Sequence, residues 1–402
     1  MRKILTMALC LTAVGTMSAQ KDAVDQAAKL SGKIDKIADA RALIGQAVSN
    51  PETANDARTY FVAGKVEFDA FDEGFKKRAI NPDDPAVNIL DMGNELVNGY
   101  NYFLKALPLD SVPNEKGQVK PKHSKDMISR INGHHNDYFN FGGEMFNSKH
   151  YYPEAYNAFM IYGDIPSQPW ADKAVKAVPD SMVALAYHYA GIGAYSGNAL
   201  KEALGAFEKA RKAGITDPQN YVYEIACWQN LALRDSTLEE TAKKEIEGIA
   251  RAGYDKFGIT NPLFLNNLVN ALLQQDRKDD AVALIGSQIE KTPDMAFLYG
   301  LRGYVNDRRG DDEASLADYR KAASFDNADI ETLKNAAKKI YTSGTVIWNN
   351  IEGNQPEKRQ DVKVNYFEAA KSVAERAQAL DPSDSDVNYI LENINYALET
   401  YF

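Results

Sequence analysis

Apolar residues recur along most of this chain at intervals of three and four, the spacing that places them on one face of a helix. Leu265, Leu268 and Leu272 form one such stripe. A polar turn from Gln275 to Asp280 follows, then a second stripe of Ala281, Ile285 and Ile289 before Pro293. The next stretch repeats the arrangement. Tyr299, Leu301 and Gly303 open a helix that ends at Gly310-Asp311, and Ser315, Tyr319, Ala322 and Phe325 follow, closing at Asp326. Ala281 and Ser315 are 34 residues apart, as are Ile285 and Tyr319.

Fainter copies lie upstream and downstream. Tyr187, Gly191 and Ala194 lead to Ala203, Phe207 and Ala210, and Phe139, Gly143 and Phe146 lead to Ala155, Phe159 and Tyr162. Tyr60, Gly64 and Phe68 predict a first helix whose partner runs from Ala86 to Leu107. Residues 219–254 read as a degenerate pair. Ala370, Ala374, Ala377 and Leu380 precede Asp381-Pro382, after which a helix from about Asp386 to Thr400 would cap the last apolar face. Longer connections are expected at 165–181 and 344–363. Residues 20–55 are expected to be helical but match no repeat.

A unit of two helices at this period resembles the tetratricopeptide repeat (TPR) family, of an exported bacterial type. Small residues at Gly303, Ala281 and Ala322 would let paired helices approach, while Tyr319 and Phe325 fill the gap to the next repeat. The resemblance implies an all-α fold, a right-handed superhelix of antiparallel helix pairs (a TPR-like α-solenoid). It also implies a concave face lined by the first helices, whose outward residues read the ligand. In the best repeats those positions are Asn266, Asn270, Tyr304 and Arg308, and in an earlier one His188, Ile192 and Tyr195. Asn266 and Asn270, one turn apart, would hold an extended peptide backbone by their amides. The lysines that accompany such asparagines in the family's carboxylate-gripping version are missing, which speaks against C-terminal carboxylate recognition.

The N-terminus sets the expected compartment. Arg2 and Lys3 precede an apolar run from Ile4 to Val14, and small residues lead to Ala19-Gln20. This is the layout of a signal peptide cut after Ala19, so the chain is expected to be exported, most simply to the periplasm. Cys10 sits behind Leu9 rather than a small residue, which argues against lipidation. Removing residues 1–19 leaves Cys227 as the remaining cysteine, so burial rather than a disulfide must supply stability. The division expected is 1–19 signal, 20–55 helical segment, 56–215 N-terminal repeats with loop insertions, and 216–402 C-terminal repeats with a capping helix.

Chemistry is sparse. A formal net charge of −10 repels phosphate backbones, so nucleic acid is not an expected partner. No G-x-S-x-G, phosphate-cradling glycine loop or H-E-x-x-H occurs. The chain has 5 histidines, and the adjacent His134 and His135, with His123 and His150 nearby in sequence, lack metal-ligand spacing. Asp381, Asp384 and Asp386 suggest a calcium loop but lack its glycine turn and distal glutamate, so helix capping is expected. Glu239-Glu240 reads as a solvated face, and Cys227 beside Trp228 as core. Within 111–125, Lys116, Lys120, Lys122, Lys125 and His123 make a basic loop suited to solvent or an acidic partner. No catalytic residue, cofactor or metal is expected.

The expected function is a non-catalytic scaffold of the cell envelope that binds proteins or peptides. The alternative is a glycan- or nutrient-binding component of an outer-membrane uptake system. A continuous polar and tyrosine stripe along the concave face favours the first; aromatics clustered in a pocket outside it favour the second.

Overall fold

A computed structural model describes residues 20–402 apart from 83, 85, 86 and 114. The expected signal segment, Cys10 and the start of one helix at Ala86 lie outside the described residues. Within them the regular structure is entirely helical. The chain divides into two compact units, one ending at Thr237 and one beginning at Leu238.

The first unit opens with α1 (20–30) and α2 (Ile37–Ser49), which pack with α3 (Ala57–Ile80) around Val24, Ile44 and Val66. Next come α4 (Ile89–Asp110), α5 (Ser124–Gly133), α6 (His135–Asn147) and α7 (Tyr152–Asp164). A short α8 (Lys173–Lys176) precedes α9 (Asp180–Ser196), α10 (Leu200–Lys212) and α11 (Gln219–Arg234). The expected connection at 165–181 is a 3-10 turn, α8 and brief linkers. His134 and His135 lie at the α5–α6 junction.

Asp110 organises the basic loop. Its carboxylate accepts from the backbone amides of Lys122, His123 and Ser124 and from the Ser124 hydroxyl, at 2.7–3.0 Å. The His123 ring then stacks on Phe61, centroids 4.3 Å apart.

The second unit shows the repeat most regularly. It contains α12 (Glu239–Phe257), α13 (Pro262–Gln274), α14 (Lys278–Lys291), α15 (Ala296–Arg309) and α16 (Asp312–Ala323). Then come α17 (Ile330–Asn349), α18 (Pro356–Val362), a π-helical turn (Lys363–Glu368), α19 (Ala369–Leu380) and α20 (Ser385–Tyr401). The first helices α13, α15 and α17 begin at 262, 296 and 330, steps of 34, and the second helices α14 and α16 begin at 278 and 312, the same step.

Two local devices explain why this sequence folds into helix pairs. The first is the turn inside four of the pairs, where one residue adopts a left-handed conformation that ends the helix. It is Lys149 after α6, Asn198 after α9, Asp276 after α13 and Gly310 after α15, with φ of 61, 64, 58 and 80°. After Asn198, Asp276 and Gly310 the amide of the next residue closes the motif, as in Arg277 to Leu272 O (2.9 Å) and Asp311 to Asn306 O (3.0 Å).

The second device is a glycine facing an aromatic ring across the pair. A Cβ on Gly191 would meet Phe207 at 2.5 Å, one on Gly142 would meet Phe159 at 3.0 Å, and one on Gly303 would meet Tyr319 at 3.1 Å. At Gly191 an added methyl would overlap the ring, while at Gly142 and Gly303 the ring would have to give by a few tenths of an ångström.

The structure corrects several sequence expectations. Gly142, not Gly143, faces Phe159; a Cβ on Gly143 meets nothing within 4 Å. Residues 219–254 are not one pair: α11 packs on α10, and α12 packs on α13, placing Gly253 against Phe264. Segment 344–363 is mostly helical, because α17 runs on to Asn349 and α18 starts at Pro356. Leu380 is 59% exposed and takes no part in the core that Ala370, Ala374 and Ala377 join. Asp384 caps α20, accepting from the amides of Asp386 and Val387.

Candidate functional site

In the second unit, first helices α13, α15 and α17, with α20 in the place of a fourth, line two adjoining cavities. The nearer, of about 450 Å³, is walled by Asn266 and Asn270 of α13, Phe297 and Tyr304 of α15, and Thr332 and Asn335 of α17. The farther, about 800 Å³, is walled by Asn335, Lys338 and Tyr341 of α17 and Tyr389, Ile390 and Asn393 of α20. Glu331 and Asn335 belong to both, so the two are compartments of one groove.

The repeat explains why these positions converge. Steps of 34 relate Asn266 to Gly300 and Lys334, and Asn270 to Tyr304 and Lys338, and all six line the groove. Gly300 brings α17 close to α15, since a Cβ there would meet Thr332 at 3.1 Å. Behind the wall, Arg302 grips Asp318 with two bonds of 2.9 and 2.6 Å, and the Asn306 amide donates to the same carboxylate at 3.0 Å. Asp318 is 7% exposed, so this network fixes α15 against α16 from inside. Tyr319 lines the first compartment, and burial raises its phenol above the ordinary value, so it stays a neutral hydroxyl.

The sequence-predicted positions divide. Asn266, Asn270 and Tyr304 meet in one compartment. Asn270 Nδ2 lies 3.5 Å from Asn266 Oδ1, too long to occupy either amide fully. Arg308, exposed, lies with its guanidinium 5.2 Å from the Tyr304 ring centroid, at the edge of the site.

His188, Ile192 and Tyr195 do not form an open surface. His188 is 3% exposed, with Nδ1 at 3.2 Å from Asn220 Oδ1 and Nε2 at 3.6 Å from Asp217. Ile192 and Tyr195 pack on a core containing Phe207, and Tyr195 meets Tyr223 at 5.4 Å. Residues from Asp217 through α11 cover the face of α9 that the repeat pattern leaves outward. That removes His188 as a ligand-reading residue and leaves Tyr195 half-buried.

Asn335, Lys338, Tyr341, Tyr389 and Asn393 were not anticipated. A further step of 34 from Asn270 and Tyr304 reaches Lys338, so the signal was present in the sequence. It is obscured because the helix pair begun by α17 closes with the irregular run α18–π-turn–α19 instead of a standard second helix.

Lys334 sits at the base of the second compartment, 2.6 Å from Glu331, 3.5 Å from Asp384 and 3.4 Å from Asp386. The hydrogen bond to Glu331 chiefly raises its pKa, so the ammonium is permanent. Among the described residues, no group of three or more His, Cys, Asp or Glu could hold a metal ion. Cys227 is buried, and burial pushes its thiol up to about 12. No described helix is long and apolar enough to cross a membrane.

No protein-family model matches the chain, and no curated protein does. Among solved structures, it is similar to a thermophilic TPR protein from Thermus thermophilus, with 18% identity over 53% of this chain and 99% of that one, TM-score 0.31. It is also similar to YrrB, described as a TPR protein with an unusual peptide-binding site (15% identity, 55% and 96% coverage, TM-score 0.31). Yeast Tom70 matches at 14% identity, 96% and 89% coverage, TM-score 0.33. At these scores the likenesses carry no weight; the helix pairs, their 34-residue step and their shared turns define the chain as an all-α repeat protein.

Proposed function

We propose that this protein is a non-catalytic binding scaffold that holds an extended peptide segment of a partner protein along the α13–α15–α17–α20 groove. The supporting observation is one continuous stripe of amides and tyrosines: Asn266, Asn270, Tyr304, Asn335, Tyr341 and Asn393. Side-chain amides carry both donor and acceptor, which suits the alternating N–H and C=O of an extended backbone. Tyrosines supply contact area with little rotamer entropy to lose. The stripe lies on the groove rather than in a separate aromatic pocket, which favours a peptide over a glycan.

The signal-like N-terminus supports an exported, periplasmic location with partners in the cell envelope. The test is an affinity pull-down from native envelope with the chain from Gln20, beside a variant carrying Asn266→Ala, Asn270→Ala and Tyr304→Ala. A protein retained by the parent and lost by the folded variant supports the groove. Equal retention by both rejects it as the site, and absence of any protein partner turns the question to glycans.

A further inference from the structure

We propose that the second compartment of the groove seats an aromatic side chain of the bound segment against Tyr341, Tyr389 and Ile390. This rests on the peptide reading above and names the chemistry of its partner.

Charge does not select the occupant. Glu331 and Asp386 line the compartment against Lys334 and Lys338. Lys334 lies 2.6 Å from Glu331 and 3.4 Å from Asp386, so one ammonium answers both. The neighbouring carboxylates of Asp384 and Asp329 are engaged as the N-caps of α20 and α17. Two charges of each sign leave no net field to favour a cation or an anion.

Apolar surface is what remains unanswered. Helices α17 and α20 run side by side in the same direction. They are joined at one end by Lys334 and Asp386 and at the other by Trp348 stacked on Tyr401, ring centroids 5.3 Å apart. Between those ends Tyr341 and Ile390 lie half-buried in the wall, while Tyr389 stands 67% exposed. One turn beyond the lining residues Thr342 and Asn393, on the same helix faces, Val346 and Tyr396 are 61% and 67% exposed. A single large apolar side chain in water needs no explanation, but three along one channel mark a surface that a partner covers. The covering segment is the one the amide stripe holds, because Asn335 belongs to both compartments and Asn393 to the second.

Size and walls pick the side chain. A cavity of ~150 Å³ with apolar walls holds a benzene molecule. This compartment, of about 800 Å³, admits a full aromatic side chain with its backbone above it. Tyr341 and Tyr389 are rings themselves, and ring pairs gain beyond the area they bury. An aliphatic side chain would fill the space and forgo that contact.

The test uses the full chain and a library of biotin-labelled decapeptides, acetylated and amidated at their ends, each fixing one residue among randomised positions. At one fixed position the parent should retain phenylalanine, tyrosine and tryptophan over alanine by about tenfold, and arginine, lysine and glutamate no better than alanine. Tyr389→Ala and Tyr396→Ala should each cut the aromatic ratio several-fold, and Tyr389→Phe, which keeps the ring, should restore it. Both tyrosines are exposed, so their truncation leaves the core intact. Peptide retention with no aromatic preference, with preference for a charged residue, or with an aromatic preference that survives both alanine substitutions overturns this inference and leaves the peptide reading standing. Retention of no peptide by the parent overturns both.

Discussion

Helix α12 contains a controlled test of how the repeats pack. Gly248 and Gly253 lie five residues apart on it, the first outside the core and the second buried. A Cβ at Gly248 meets nothing within 4 Å, whereas one at Gly253 would lie 2.5 Å from the Phe264 ring. Phe264 is 0% exposed and stacks on Phe257 at 5.3 Å, so the ring has little room to retreat. Replacing either glycine by alanine gains about 1 kcal/mol of helix propensity. At Gly253 that gain is opposed by an overpacking cost of about 1–3 kcal/mol. Gly248→Ala should therefore stabilise by up to ~1 kcal/mol, and Gly253→Ala should be neutral to ~2 kcal/mol destabilising. Calorimetry and urea unfolding of both variants would read this as a raised transition for the first and an unchanged or lowered one for the second, by about 2–4 °C for each kcal/mol in a unit of this size. Adding Phe264→Leu to Gly253→Ala should cost less than the separate effects predict, because the smaller side chain vacates the space. Equal upward shifts for Gly248→Ala and Gly253→Ala would refute the glycine-to-ring packing.

Other parts of the account make separate predictions. Asp318→Ala should cost about 2–3 kcal/mol in urea unfolding, since it strands the Arg302 guanidinium and the Asn306 amide behind the groove. Asp110→Asn should weaken the latch on the basic loop by about 1–2 kcal/mol at neutral pH. Partial burial pushes the Asp110 carboxyl up, but the Ser124 hydroxyl and three backbone amides outweigh it and hold the pKa below the ordinary value. That contribution is fully present above the unfolded carboxyl's pKa of about 4 and is lost as pH falls through the lower folded value. The difference between parent and Asp110→Asn should accordingly narrow below pH ~4, and a constant difference would contradict the latch. If the N-terminal segment is a signal, N-terminal sequencing of the exported chain should begin at Gln20; an intact Arg2-Lys3 head would reject that.

How far the sequence could be read depended on how regular each repeat is. Where both helices keep their period, as in α13 to α16, the stripes around Leu268, Ile285, Gly303 and Tyr319 disclosed the pairs, the 34-residue step and three groove residues. Where a neighbouring helix decides the outcome, periodicity was insufficient. His188 occupies a groove-like register, but Asp217 and Asn220 cover it, and coverage depends on tertiary packing that no helical period encodes. Gly142 and Gly143 are adjacent, so a window of apolar spacings does not separate them; the rotation of α6 against Phe159 does. The second compartment stayed hidden for a third reason. Its residues keep the repeat register through Lys338, but α18, the π-turn and α19 replace a regular second helix, and α20 supplies the far wall from what reads as a cap.

The groove itself is tested most directly by site-specific photocrosslinking. A photoreactive benzoylphenylalanine would replace Tyr304 in the first compartment, Tyr389 in the second, or Glu290 on α14, which lines neither. Irradiation in the presence of the captured partner should give adducts from positions 304 and 389, mapping to one contiguous segment of that partner, and none from 290. Adducts from 290 with none from 304 or 389 would place binding on another face and contradict the account.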